Sequence, residues 1–302
     1  MTENQSILKI NNVRKHFGTF EALKNINIEV KSGRITGFLG KNGAGKTTLI
    51  KTILGLYKDF DGEIFYDGQV INPEDAKMMC TIGSLVDIKF HEDLTAYDNL
   101  KLLLMASHIN SKKSHKQQIY EVLKLVDLEG NAKDKVKSFS MGMKQRLGLA
   151  QALMMEAKLL ILDEPFVGLD PVGIQLIKER LLSLCHEQGV SIIFSSHQLT
   201  EVSDLSDDII VINKGEITYT GTYESLVNEA KSYHLYLDKS VPSNLISRYQ
   251  VEVRNDECEI IFKKSDVSLP DILVDLMASQ IRVEDISIQE NTLLHLFQNE
   301  EA

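Results

Sequence analysis

Eight residues, GKNGAGKT from Gly40 to Thr47, have the spacing G-x-x-x-x-G-K-[ST], and the chemistry open to them is phosphate binding. Gly40, Gly43 and Gly45 permit backbone angles that a side chain forbids. The N–H groups of Gly40, Lys41, Asn42, Gly43, Ala44 and Gly45 are thereby able to close on an anion. Lys46 would reach the β- and γ-phosphates of a nucleoside triphosphate, the Thr47 hydroxyl would hold Mg²⁺, and Thr48 would donate to the α-phosphate. The apolar run ITGFL before the loop and TTLIKTILGLY after it predict a buried strand and a helix, the setting such a loop needs.

Two acids follow roughly 120 residues later, at the end of LLILDEP, residues 159 to 165. The ends of strands in a parallel sheet are where ligands bind. Adjacent strand residues face opposite ways, so Asp163 and Glu164 are expected to divide the work. Asp163 would orient Mg²⁺, and Glu164 would act as general base on the attacking water. The run SIIFSSH ends at His197, on the phosphate side of the neighbouring strand, which makes that imidazole a γ-phosphate contact.

SFSMGMKQR, residues 138 to 146, raises a second anion site. Ser140 is a good N-cap for a helix beginning near Met141, and such a helix end carries N–H groups and partial positive charge. With one phosphate loop already present, this end has no obvious ligand within its own chain.

The elements that must carry these residues are those of an α/β domain, short β-rich runs alternating with helical segments. ILKINNVRKHF and INIEVKSG predict antiparallel strands, EIFYDGQVI a hairpin turning at Asp67-Gly68, and DIIVINKGEITYTG a last hairpin. LLILDEP and VSIIFSSH have the apolar, β-branched character of buried parallel strands. From about 88 to 155 the pattern becomes mostly helical. Beyond residue 225 the character changes: 14 acidic and 7 basic side chains lie there, in a β-α-β-β-α-β order consistent with a small ferredoxin-like unit. The expected domains are therefore 1–225, with a helical subdomain at 88–155, and an accessory α+β domain at 226–302.

Composition narrows the class. Of 302 residues, 43% are apolar and 25% charged, ordinary for a globular protein. A net charge of −10 argues against nucleic acid as main partner. Cys80, Cys185 and Cys258 are odd in number, far apart and without a C-x-x-C pair, which predicts reduced, buried thiols in a cytosolic protein. No stretch reaches the roughly 18 apolar residues that span a bilayer, and the N-terminus has no signal-peptide pattern.

GKNGAGKT, SFSMGMKQR, ILDEP, GLD and SSH occur in the order and spacing of the ATP-binding cassette family, which residues 7 to 225 resemble. The resemblance implies a P-loop NTPase fold: a mixed sheet core, an antiparallel β subdomain and a helical subdomain. It implies ATP and Mg²⁺ as ligands and a head-to-tail dimer of ATP-binding subunits. Ser140 and Gly142 would then contact the γ-phosphate of a partner's nucleotide, and Asp170 of GLD would touch the partner subunit. Phe17 matches the aromatic position that stacks on adenine, against a plain packing role; Phe20 is the less favoured stacker.

Two departures from the family stand out. The usual L-S-G-G-Q signature is Phe139-Ser140-Met141-Gly142-Met143 here, a form similar to exporters of drugs, peptide antibiotics and bacteriocins. The family's Mg²⁺-ligating Gln falls at Asp87, which leaves two readings, a metal ligand or a loop carboxylate facing water. Residues 88 to 106, where the family docks its membrane subunit, include LTAYDNLKLLLMAS, apolar enough for a partner helix or for core burial. Thr292 to Phe297 match the T-L-x-x-x-F ending of drug-exporter ATPases. The resemblance implies an ATPase that powers a separate transmembrane permease from the inner face of the cell membrane. The alternative is a soluble cassette ATPase without transport.

Overall fold

Alternating apolar residues produce the first hairpin: β1 (Ser6–Phe17) turns its Leu8, Ile10 and Val13 inward, and β2 (Phe20–Lys31) its Ile26, Ile28 and Val30. In this computed structural model, residues 5–106, 114–154, 157–255, 257–263 and 267–290 are described. Two units emerge, Met1–Thr220 and Gly221–Ala302.

In the first unit, β4 (Asp61–Tyr66) and β5 (Gln69–Val70) join the hairpin in an antiparallel sheet of order β2-β1-β4-β5. Asp67 and Gly68, with φ of 49° and 77°, make the tight turn between them. A six-stranded sheet of order β10-β9-β3-β8-β7-β6 forms the centre. Its strands are β3 (Ile35–Leu39), β6 (Ile82–Leu85), β7 (Leu159–Leu162), β8 (Ser191–Ser196), β9 (Asp208–Asn213) and β10 (Glu216–Gly221). The pairs β3–β8, β3–β9, β7–β8 and β6–β7 are parallel, so these strands end on one edge. Every residue of β3, β7 and β8 is buried, as expected of strands covered on both faces.

Helix α1 (Lys46–Ile53) shares one apolar cluster with both sheets, its Leu49, Ile50 and Ile53 meeting Ile10 and Ile64 of one and Phe38, Ile161 and Ile193 of the other. Each such buried side chain contributes roughly 1.5–3 kcal/mol, so the start of α1, where the phosphate loop ends, is rigidly placed. After α2 (Ala76–Met79), the helical part comprises α3 (Ala96–Ala106), α4 (His115–Leu125) and α5 (Met141–Leu153). Helix α3 buries Ala96, Leu100 and Leu104 but exposes Leu102 and Met105, so core burial accounts for one face only. Helices α6 (Pro171–Gln188) and α7 (Leu199–Leu205) complete this unit.

The second unit runs α8 (Tyr223–Ala230), β11 (Lys231–Leu237), α9 (Ser243–Tyr249), β12 (Glu252–Arg254), β13 (Glu259–Lys263), α10 (Leu269–Ala278) and β14 (Val283–Glu290). Its antiparallel sheet has the order β12-β13-β11-β14 around Leu235, Ile260, Phe262, Ile272 and Leu276. The segment Thr292 to Phe297 lies outside the described residues.

Among the described residues no disulfide forms. The expectation of three buried thiols holds for Cys185 alone. Cys80 and Cys258 are half-buried, because one ends a four-residue helix and the other stands outside the strand that follows it.

Candidate functional site

Ten of the sequence-selected residues line one cavity of about 540 Å³: Phe17, Lys41, Asn42, Gly43, Gly45, Lys46, Thr47, Thr48, Glu164 and His197. Gly45, at φ 112°, is the N-cap of α1 and bonds no N–H through a side chain. That backbone angle excludes other residues, and it leaves the first-turn N–H groups of α1 directed at the cavity as an anion cradle. The Lys46 ammonium, 5% exposed, donates to the Gly40 carbonyl and lies 3.4 Å from Glu164 Oε1.

The two acids reach the loop from the end of β7. Thr47 Oγ1 donates to Asp163 Oδ2 at 2.7 Å, and Ser195 Oγ donates to Asp163 Oδ1 at 2.6 Å. Glu164 N–H in turn donates to Ser195 Oγ at 2.9 Å. His197 Nδ1 is 3.0 Å from Glu164 Oε2. The two carboxylates face different partners, but the cause is not strand alternation. The strand ends at Leu162, and Glu164 turns away in the left-handed region, φ 49°, held by Gln145 Nε2 on its carbonyl at 2.9 Å. Asp163 thus faces the loop threonine, and Glu164 faces the histidine and the lysine.

Thr47 and Asp163 converge two hard oxygen donors, the set that suits Mg²⁺. Asp87 lines a second cavity, of about 170 Å³, with Asp163, Gln145, Met141 and Lys144. Its carboxylate is paired with the Lys51 ammonium on α1 and so is already engaged. This hydrogen bond, ahead of other charges, raises the Lys51 pKa above its ordinary value.

Apart from Phe20, the remaining selected residues stand outside the main cavity. Ser140 Oγ caps α5 by accepting from Met143 N–H at 3.2 Å, which leaves its own hydrogen for another acceptor. A Cβ at Gly142 would meet the Gly168 carbonyl at 2.7 Å, so only glycine lets α5 approach that loop. Asp170 caps α6, accepting from Gly173 N–H at 3.1 Å. Ala44 is buried behind the loop, and Phe20, which is exposed, lines the mouth beside Phe17.

Sequence reasoning passed over Ser195, Gln145 and Lys51. Ser195 stands inside the SSH run, and its position two residues before His197 on a strand was the available signal. Gln145 stands inside SFSMGMKQR and Lys51 one helical turn beyond Thr47, and neither position had a signal of its own.

The family model for ABC transporters matches residues 23–167. The chain is 34% identical over 292 residues to the uncharacterized ABC transporter ATP-binding protein YhcH of Bacillus subtilis, covering 96% of this chain and 94% of that one. It is 40% identical over 229 residues to the bacitracin transport ATP-binding protein BcrA of Bacillus licheniformis, covering 76% and 74%. Among solved structures, the dimeric post-hydrolysis state of the ATP-binding cassette MJ0796, bound to ADP and Pi, matches with TM-score 0.65 and 27% identity, over 71% of this chain and 98% of that one.

Proposed function

This chain belongs to the ABC transporter ATP-binding proteins, and from that membership we propose that it drives export of a peptide antibiotic or drug through a separate membrane permease. It is an ATPase. The observation that carries the catalytic reading is the linked set Thr47–Asp163–Ser195–Glu164–His197 beside the loop cavity. The likeness to a bacitracin transport subunit and the Ser140-Met141-Gly142-Met143 signature support the substrate class. Among the described residues no helix is long and apolar enough to cross a membrane. The permease is the membrane element, and this chain sits on its inner face.

In this reading the loop N–H groups and Lys46 hold the triphosphate, and Phe17 stacks on the base. Thr47 and Asp163 would hold Mg²⁺, which when bound neutralises charge on the β- and γ-phosphates. Glu164 accepts the proton of the attacking water. His197, with Nδ1 on Glu164, orients that carboxylate and leaves Nε2 for the γ-phosphate. Asp87, tied to Lys51, is engaged by that ammonium and is not assigned as a primary ligand.

Two chains pack head to tail, and the α5 end of one, with Ser140 and Gly142, meets the γ-phosphate held by the other; Asp170 lies in the contact. The capping geometry supports this, because the Ser140 hydroxyl has a hydrogen to give to an outside acceptor. The test is Ser140→Arg in a Glu164→Gln background. The chain should bind ATP as a monomer and lose the ATP-dependent dimer in light scattering. Normal dimerisation would remove the shared-site reading. Gly142→Asp is a poorer probe, since its side chain collides with Gly168 within the same chain.

A further inference from the structure

Phe17 ends β1 at the mouth of the main cavity and is 44% exposed. An isolated exposed ring at a strand end would swing among rotamers, each change costing base-binding affinity. This ring is not isolated. Tyr57, just beyond α1, meets it edge to face, centroids 5.2 Å apart and planes 79° apart. The Lys15 ammonium lies over the Phe17 ring at 5.1 Å and over the Tyr57 ring at 5.8 Å. Lys15 is 5% exposed and donates to the Asp59 carbonyl, with the Asp59 carboxylate 3.7 Å away. A lysine this buried is rare unless its charge has work or partners. Lys51 brings a second ammonium to 5.9 Å from the Tyr57 ring.

We propose that Lys15 and Tyr57 are positioning residues that lock the Phe17 ring as a platform for the nucleotide base. The inference rests on the reading that Phe17 stacks on that base. Tyr57 blocks rotation from the side, and Lys15 occupies one face of the ring. A base stacking on Phe17 takes the face that Lys15 leaves open, since the ring lines the cavity and Lys15 does not. A cation behind a ring draws π density toward itself, which leaves the open face electron-poor and suited to an electron-rich purine. Neither Lys15 nor Tyr57 lines the main cavity, so each acts through Phe17 and touches no nucleotide.

The test compares binding of ATP with binding of tripolyphosphate, which has the phosphates and no base, to the full chain by calorimetry. The affinity ratio isolates the base contact. Phe17→Ala should lower the ratio about tenfold, and Tyr57→Leu and Lys15→Met about threefold to tenfold each. Tyr57→Phe, which keeps the ring, should restore the ratio to within about twofold of the parent. In hydrolysis the effect should fall on KM rather than kcat. If Phe17→Ala lowers the ratio and Tyr57→Leu does not, the lock is refuted while the platform stands. If Phe17→Ala leaves the ratio unchanged, the platform fails and the lock with it. A failure of Tyr57→Phe to restore the ratio would also refute the lock, since the hydroxyl rather than the ring would then matter. Tyr57, half-buried, decides the question even where Lys15→Met does not fold.

Discussion

Ser195→Ala tests whether the acids are placed by a single hydroxyl. Ser195 is fully buried, donates to Asp163 at 2.6 Å and accepts from Glu164 N–H at 2.9 Å. Alanine removes a hydrogen bond to a charged group, worth about 1.5–3 kcal/mol, and orphans a backbone donor at about 1–3 kcal/mol. One hydroxyl makes both bonds, so the combined loss should be near the lower sum, about 3 kcal/mol. For a unit of this size each kcal/mol moves Tm by about 2–4 °C, giving a fall of roughly 6–12 °C. The catalytic effect should be larger than the stability effect suggests. Glu164 sits at φ 49°, a backbone conformation that costs about 1–3 kcal/mol and persists only while its neighbours hold it. Freed from Ser195, the turn relaxes and the carboxylate shifts; a misplacement near 1 Å costs on the order of 100-fold. Calorimetric melting and steady-state phosphate release read the two effects separately. A Tm within 2 °C of the parent together with kcat within twofold would refute the reasoning.

Glu164→Gln should retain ATP binding and lose about 10²–10⁴-fold in turnover, because the amide is isosteric and a very poor base; phosphate release within threefold of the parent rejects the assignment. Lys46→Ala should abolish high-affinity ATP binding in calorimetry, since a charge-assisted contact to the phosphates disappears. Burial, then the Asp207 carboxylate, push the Cys185 thiol from its ordinary 9.0 up to about 11. The unfolded chain therefore gives up that proton first, so stability should fall by about 2–3 kcal/mol as pH rises from 9 to 11. Denaturant titrations across that range should show the slope in the parent and its loss in Cys185→Ser.

What could be read in advance was what is local. GKNGAGKT specifies its own turn through contiguous glycines, and the apolar runs before Asp163 and His197 are long enough to declare strands with a shared end. Thr47 and Asp163, each expected to serve Mg²⁺ and 116 positions apart, are brought into contact. What stayed hidden depends on side-chain direction across distant segments. The strand at Ile82–Leu85 has four residues and one glycine, too little for a pattern, yet it forms the outer edge of the central sheet. The left-handed turn at Glu164 has no sequence sign, since glutamate is a poor choice there and is retained by bonds from Gln145 and Ser195. Tyr57 looked like the tail of a helix; its contact with Phe17 joins two segments 40 residues apart in sequence.

Asp87 shows how a departure from a family pattern becomes intelligible only with its neighbours in place. A neutral Gln at that position adds no charge beside the phosphates. An unpaired carboxylate would add repulsion next to Asp163, with which it shares a cavity, and next to any triphosphate held by the loop. The structure resolves this by pairing Asp87 with Lys51, one helical turn beyond Thr47 and Thr48 on α1. The pair is neutral as a unit, so the Asp87 charge is offset within the corner rather than left facing Asp163. The carboxylate accepting from Lys51 raises that ammonium's pKa above its ordinary value. Lys51 also lies against Tyr57, so the ion pair and the aromatic lock on Phe17 lean on one side chain. Asp87 is thereby anchored, through Lys51, to the helix that follows the phosphate loop.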